Sequence, residues 1–334
     1  MSIYLQHFAL EQEPFSIVPD PGFLYPSHQH RQAVAHLKYG LDREGGFILL
    51  TGEVGTGKTT LTRTMLQRIP AHVRVAYVLN SKLNETDLLA SICDELEISL
   101  PKAVDLSFSK ICIDALNHNL LESHAEGKKT LIVIEEAQNL SDEVLETLRL
   151  LSNLETNTHK LLHILLVGQP ELVEILGKQN LRQLNQRVVS RFHLLPLDKA
   201  EVSNYINHRL HHAGASGALF DAKSINIIYR LTKGVPRLIN LICHQALLAA
   251  YSLGLKSISA SLVRDAASEI LEGLETSPSN RKPILILLLI GFLVAAIFAI
   301  TVLKHPLSDH INLYFPNLPS YTLIYPHIHS YTLI

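Results

Sequence analysis

Residues 47–60 read Phe-Ile-Leu-Leu-Thr-Gly-Glu-Val-Gly-Thr-Gly-Lys-Thr-Thr: an apolar run of strand length enters a glycine-rich turn, and the turn passes into a helical pattern, Thr59 to Ile69. The spacing of Gly52, four residues, then Gly57-Lys58-Thr59 fits a P-loop, in which backbone N–H groups and a helix N-terminus wrap a polyphosphate. Gly52, Glu53, Val54, Gly55, Thr56 and Gly57 would form the cradle, with Thr60 in the helix's first turn. The glycines at 52, 55 and 57 are expected to supply positive φ and let the backbone approach phosphate oxygens. Lys58 would reach the β- and γ-phosphates of ATP, and the Thr59 hydroxyl would ligate Mg²⁺.

Around this junction, strand patterns at 73–79, 128–134, 161–167 and 192–197 alternate with helical patterns at 84–99, 108–124, 140–154 and 182–190. The apolar strands predict a doubly wound parallel α/β sheet with nucleotide at the strands' carboxyl ends. Strand signals then stop, and helical segments at 199–213, 222–231, 236–253 and 259–271 predict a C-terminal helical lid. The expected layout is an N-terminal arm and helix packed on the ATPase core (1–46), the α/β core (47–197), the lid (198–273) and a linker (274–282). The arm's prolines and aromatics would either wall the adenine or serve core packing.

Pro283 to Leu303 is a 21-residue run without a charge, apolar on every face. As a helix it would extend roughly 31 Å, about one hydrocarbon core, so a single transmembrane helix is expected. Arg264, Arg281 and Lys282 precede it and Lys304 alone follows closely, which places the ATPase domain in the cytoplasm and residues 304–334 as a short periplasmic tail. Ser-Tyr-Thr-Leu-Ile occurs twice in that tail, at 320–324 and 330–334. The net charge of −2 and the lack of a Lys/Arg cluster argue against a nucleic-acid partner. The three cysteines are far apart and read as buried thiols. His208, His211 and His212 lack a carboxylate or cysteine at ligand spacing and read as a solvated helix face.

Further candidates follow the strands. Glu135 and Glu136 end the third, where P-loop ATPases place an acid for Mg²⁺ and a second to activate water; Glu135 is assigned to the metal with Thr59, and Glu136 to the general base. Glu at the metal position is a methylene longer than the usual Asp, which leaves slow turnover or an ATP-gated adaptor with little hydrolysis as an alternative. Gln169 would contact the γ-phosphate or position water. Arg187 and Arg191, four apart on one helical face, would supply a finger to a neighbouring copy's site. Arg237 follows Pro236 at a helix start and could reach back over the nucleotide.

Together these motifs resemble the AAA+ ATPase domain of the general secretion pathway protein A family, with MSHA-type pilus-biogenesis ATPases as relatives. The resemblance covers about Tyr4 to Leu271: Tyr4, Phe8, Pro14-Phe15, Pro19-Asp-Pro21, Phe23-Leu-Tyr25, 46–60, 135–140, Val167-Gly-Gln-Pro-Glu-Leu172, Gln186-Arg187, Arg191 and Gly234-Val-Pro-Arg237. It implies a homo-oligomer in the bacterial inner membrane that hydrolyses MgATP to assemble a cell-envelope machine, typically the type II secretion secretin. By matched position it assigns Lys58 and Thr59 to nucleotide and Mg²⁺, Glu136 to hydrolysis, Gln169 to a first sensor and Arg237 to a second. Secretion-type members carry a peptidoglycan-binding domain after the span; only the short tail stands there in this sequence, so wall binding is doubtful.

Overall fold

The structure, a computed structural model, describes residues 3–43, 45–79, 82–101, 107–156 and 159–275. Five strands, β1 (Gly46–Gly52), β2 (Val73–Val78), β3 (Lys129–Ile134), β4 (Leu162–Gly168) and β5 (Val188–Leu194), form one sheet in the order β2-β3-β4-β1-β5. Every pairing is parallel. Parallel strands need crossovers, and helices supply them on both faces. The helices of the core are α1 (His28–Asp42), α2 (Lys58–Leu66), α3 (Glu85–Glu95), α4 (Phe108–Ala125), α5 (Asp142–Leu151), α6 (Glu171–Leu176) and α7 (Arg182–Gln186).

Alternation within β1 explains its continuous apolar run. Phe47 and Leu49 enter a core with residues of α3, α4, α5 and α7, while Ile48 and Leu50 enter a second core with Ala33 and Leu37 of α1 and Leu61 of α2. Ile132 and Ile134 of β3 divide from Leu131 and Val133 in the same way. With both faces covered, a polar side chain in these strands needs a partner inside the protein, as buried Thr51 finds in His193 Nδ1.

A second cluster is all-helical: α8 (Lys199–His212), α9 (Ala222–Thr232), α10 (Pro236–Ser252) and α11 (Ala260–Glu275). Asp198 and Glu201 close a capping box at the start of α8, and Glu201 also accepts from the His28 N–H at the start of α1, at 2.8 Å. The arm departs from expectation here. Tyr4, Phe8, Leu10, Phe15 and Phe23 are buried among α8–α11, not against the sheet. The Arg209 guanidinium, 7 % exposed, explains part of this: it donates to the carbonyls of Pro14 and Ser16, and Asn240 also donates to Ser16 O. A buried cation must find acceptors, and the arm's backbone supplies them.

Other expectations also shift. The helix expected over 182–190 ends at Gln186, because Val188 onward pairs with β1 as β5, so the strand starts four residues before the expected 192. α3 is capped by Asn84, whose side chain accepts from Asp87 N. Among the described residues no helix is long and apolar enough to cross a membrane. The expected span (283–303), the tail (304–334) and all but the first two residues of the linker lie outside the described residues.

Gly234 lets the turn before α10 pack against the backbone of Leu197, just ahead of α8. Its φ is +80°, and a Cβ there would stand 1.9 Å from Leu197 O. Gly234→Ala adds a backbone clash to left-handed strain, so a loss of about 3 kcal/mol or more is expected, read as a lowered unfolding midpoint in a denaturant titration.

Candidate functional site

The sheet's carboxyl edge assembles the site because parallel strands all end on the same side. β1 delivers the loop 52–57, β3 delivers Glu135 and Glu136, and β4 delivers Gln169. Gly55 and Gly57 have φ of +82° and +98°, as a phosphate-wrapping loop requires, and Gly57 is the N-cap of α2. Gly52 differs from expectation. Its φ is not positive; glycine is needed there because a Cβ would lie 2.6 Å from Leu194 O on the neighbouring β5.

Lys58 is buried at the first position of α2, and its ammonium donates to Gly52 O at 2.7 Å and Glu53 O at 3.0 Å. Burial lowers its pKa from the ordinary value, against the raising influence of Glu136, Glu135 and Glu53. Thr56 Oγ1 donates to Glu53 O and tightens the same turn. Glu53 and Val54 are exposed at the loop's outer edge, and Thr60 lies half-buried in the first turn of α2.

Glu135 is 3 % exposed, and both its oxygens are held: Oε2 accepts from Thr59 Oγ1 at 3.0 Å and Oε1 from Tyr77 OH at 3.2 Å. Burial raises its pKa while these two donors pull it down. The Tyr77 phenol is itself pushed up to about 12 by burial and the Glu135 charge, so it stays a donor. Thr59 and Glu135, the two residues expected to hold Mg²⁺, are thus in direct contact. A hydroxyl and a carboxylate side by side are hard oxygen donors that suit Mg²⁺.

Glu136 has a φ of +52°, uncommon for a side-chain-bearing residue. Its Oε2 accepts from Gln138 Nε2 at 2.7 Å and Gln169 Nε2 at 3.2 Å, while Gln138 Oε1 accepts from the Gln169 backbone N–H at 3.1 Å. The strained backbone and two amide donors fix one carboxylate orientation. Tyr77 lies on a different strand, 58 residues from Glu135, and no spacing marks it. Gln138 lies within the motif 135–140, but its link to Gln169 is a contact between separate elements that the sequence does not show.

Arg237 stands at the second position of α10, and its N–H donates to Gly55 O at 3.1 Å, so the helical cluster touches the loop directly. Lys58, Thr59, Glu136, Gln169 and Arg237 line one cavity of about 390 Å³, closed on another side by Ser16 to Asp20 of the arm. There Ile17 and Val18 are 53 % and 67 % exposed beside the cradle, and Phe23 and Tyr25 of the arm line the same cavity, while Tyr4, Phe8 and Phe15 pack into the helical core. The two arginines correct an expectation. They do not share a helical face: Arg187 is the C-cap of α7 and Arg191 lies within β5. Arg187 donates to Arg149 O and Ser152 Oγ, whereas Arg191 is exposed and bonds Asn185; neither lines the cavity of its own chain.

Residues 41–176 match the family model described as an AAA domain. General secretion pathway protein A of Aeromonas hydrophila is 48% identical over 268 residues, which are 80% of this chain and 48% of that protein. The chain therefore spans about half the length of the curated relative it matches. Among solved structures, the Aeropyrum pernix ORC2 protein in its ADPNP-ADP complexes aligns with a TM-score of 0.60 at 19% identity, over 82% of this chain and 74% of that one. Cdc6p of Pyrobaculum aerophilum aligns at 0.59 and 20% identity, over 79% and 76%. At such identities the likeness establishes the fold.

Proposed function

Because the chain belongs, over four fifths of its length, to the general secretion pathway protein A family of AAA+ ATPases, we propose that it binds and hydrolyses MgATP in the cavity between the sheet's carboxyl edge and the helical cluster, which acts as a lid. The convergence of Lys58, Thr59, Glu136, Gln169 and Arg237 on that cavity carries the reading. In it, loop N–H groups and Lys58 hold the phosphates, and Thr59 and Glu135 hold Mg²⁺, which would neutralise phosphate charge. Glu136, oriented by Gln138 and Gln169, takes the proton of the attacking water. Arg237 moves with α10 and senses the γ-phosphate. In an oligomer, Arg187 or Arg191 completes a neighbour's site; Arg191, exposed on an edge strand, is the freer of the two.

The larger role follows the relative: turnover drives assembly of an envelope secretion complex, with a pilus-type machine as the alternative, and residues 283–303 anchor the cytoplasmic ATPase in the inner membrane. Phosphate release by the full chain tests the reading. Mg²⁺-dependent release whose specific rate climbs with protein concentration is expected. Release at the background rate under all conditions would remove the motor and leave the ATP-gated adaptor, a reading supported by Glu135 standing at the metal position with both oxygens engaged.

Tyr77 enters this reading as the residue that aims Glu135. Losing one hydrogen bond of about 1 kcal/mol, Tyr77→Phe should raise the Mg²⁺ concentration for half-maximal nucleotide binding about fivefold. Fluorescent-nucleotide titration at varied Mg²⁺ reads this directly, and nucleotide binding without Mg²⁺ should be unchanged.

A further inference from the structure

A second cavity, about 480 Å³, lies between α1 and α2, on the far side of the P-loop helix from the site above. Its walls are predominantly apolar: Val34 and Leu41 come from α1, Leu61 and Met65 from α2, with Ile69 beyond. Val34 is 41 % exposed within it. The charged side chains that line it are nearly all of one sign. Arg31, Lys38, Arg68 and Lys129 are present, with His72, against Asp42 alone. Arg31 and Lys129 donate to the carbonyls of Pro26 and Leu41, which cancel no charge. The side chains of Lys38 and Arg68 are exposed and make no hydrogen bond or ion pair among the described residues.

Size and charge select the occupant. The volume falls in the range of small-molecule pockets, about 300–1,000 Å³. A small hydrophilic anion would leave the apolar walls wet, and a cationic amphiphile would meet like charge. We propose that the cavity between α1 and α2 binds a single-chain anionic amphiphile, a long-chain carboxylate, with its alkyl chain along Val34, Leu61 and Met65 and its head between Lys38 and Arg68.

The position matters for the nucleotide site. Leu24 and His30 line both cavities, and His30 Nε2 lies 3.6 Å from where a Cβ on Gly57 would stand. An occupant therefore packs directly behind the P-loop helix.

The test is photolabelling of the full chain in neutral phosphatidylcholine nanodiscs with a diazirine-bearing dodecanoate, mapped by mass spectrometry. Label is expected on residues 34–41 and 61–69, competed by dodecanoate and not by dodecyltrimethylammonium. Lys38→Glu and Arg68→Glu should each reduce that label at least fivefold while leaving nucleotide binding intact, which also reports that the variants fold. Label confined to 283–303, label indifferent to both charge reversals, or equal competition by the cation would overturn the proposal. So would displacement of the label when the nanodisc lipid is changed to phosphatidylglycerol, since the cations would then be reading a bilayer surface.

Discussion

Lys58→Ala is expected to lose nucleotide affinity by at least about 100-fold, measured as the Kd of a fluorescent ATP analogue. The ammonium is buried and bonded to two loop carbonyls, so it is held within the cradle and not in solvent. A charge-assisted contact of this kind contributes roughly 1.5–3 kcal/mol, and two phosphates would share it. The variant should remain folded, because burial already disfavours the charged amine there. An unchanged Kd would remove the cavity as the nucleotide site and the motor reading with it.

The second large effect falls on turnover alone. Glu136→Gln should bind ATP within a few-fold of the unaltered protein yet release phosphate about 10²–10⁴ times more slowly, since a positioned general base contributes that much. The amide keeps the shape of the side chain and can still bond Gln138 and Gln169, so the geometry of Gly168-Gln169 is preserved. Single-turnover phosphate release separates this from a binding defect. Normal turnover would reassign the base, and Glu135 could not replace it easily: its two oxygens are already held by Thr59 and Tyr77.

Legibility divides along the range of the interactions. The P-loop was readable because strand, turn and helix are contiguous, and each is specified by neighbours within a few residues. Glu135 and Glu136 were readable because they follow an apolar strand directly. The helices α8–α10 fell within two residues of expectation for the same reason, with Asp198 and Pro236 marking two starts. The stretch 182–194 is not legible in the same way, because a short polar helix and an edge strand lack strong periodicity. Only pairing with β1 decides that Val188 is extended.

Sequence by itself determined the strand-loop-helix cradle, the parallel sheet and the helical array after it, because local propensity and the spacing of apolar residues suffice for these. Tertiary structure alone decided that the N-terminal arm belongs to the helical cluster, through the carbonyls that a buried Arg209 requires. It also decided that Tyr77 aims Glu135, that Gln138 joins Glu136 to Gln169, and that Gly52 is a packing requirement and not a conformational one. Most of these contacts join residues from different elements, brought together only when the sheet and its helices close. A one-dimensional pattern carries no signal for a hydrogen bond whose donor and acceptor meet only in the folded chain.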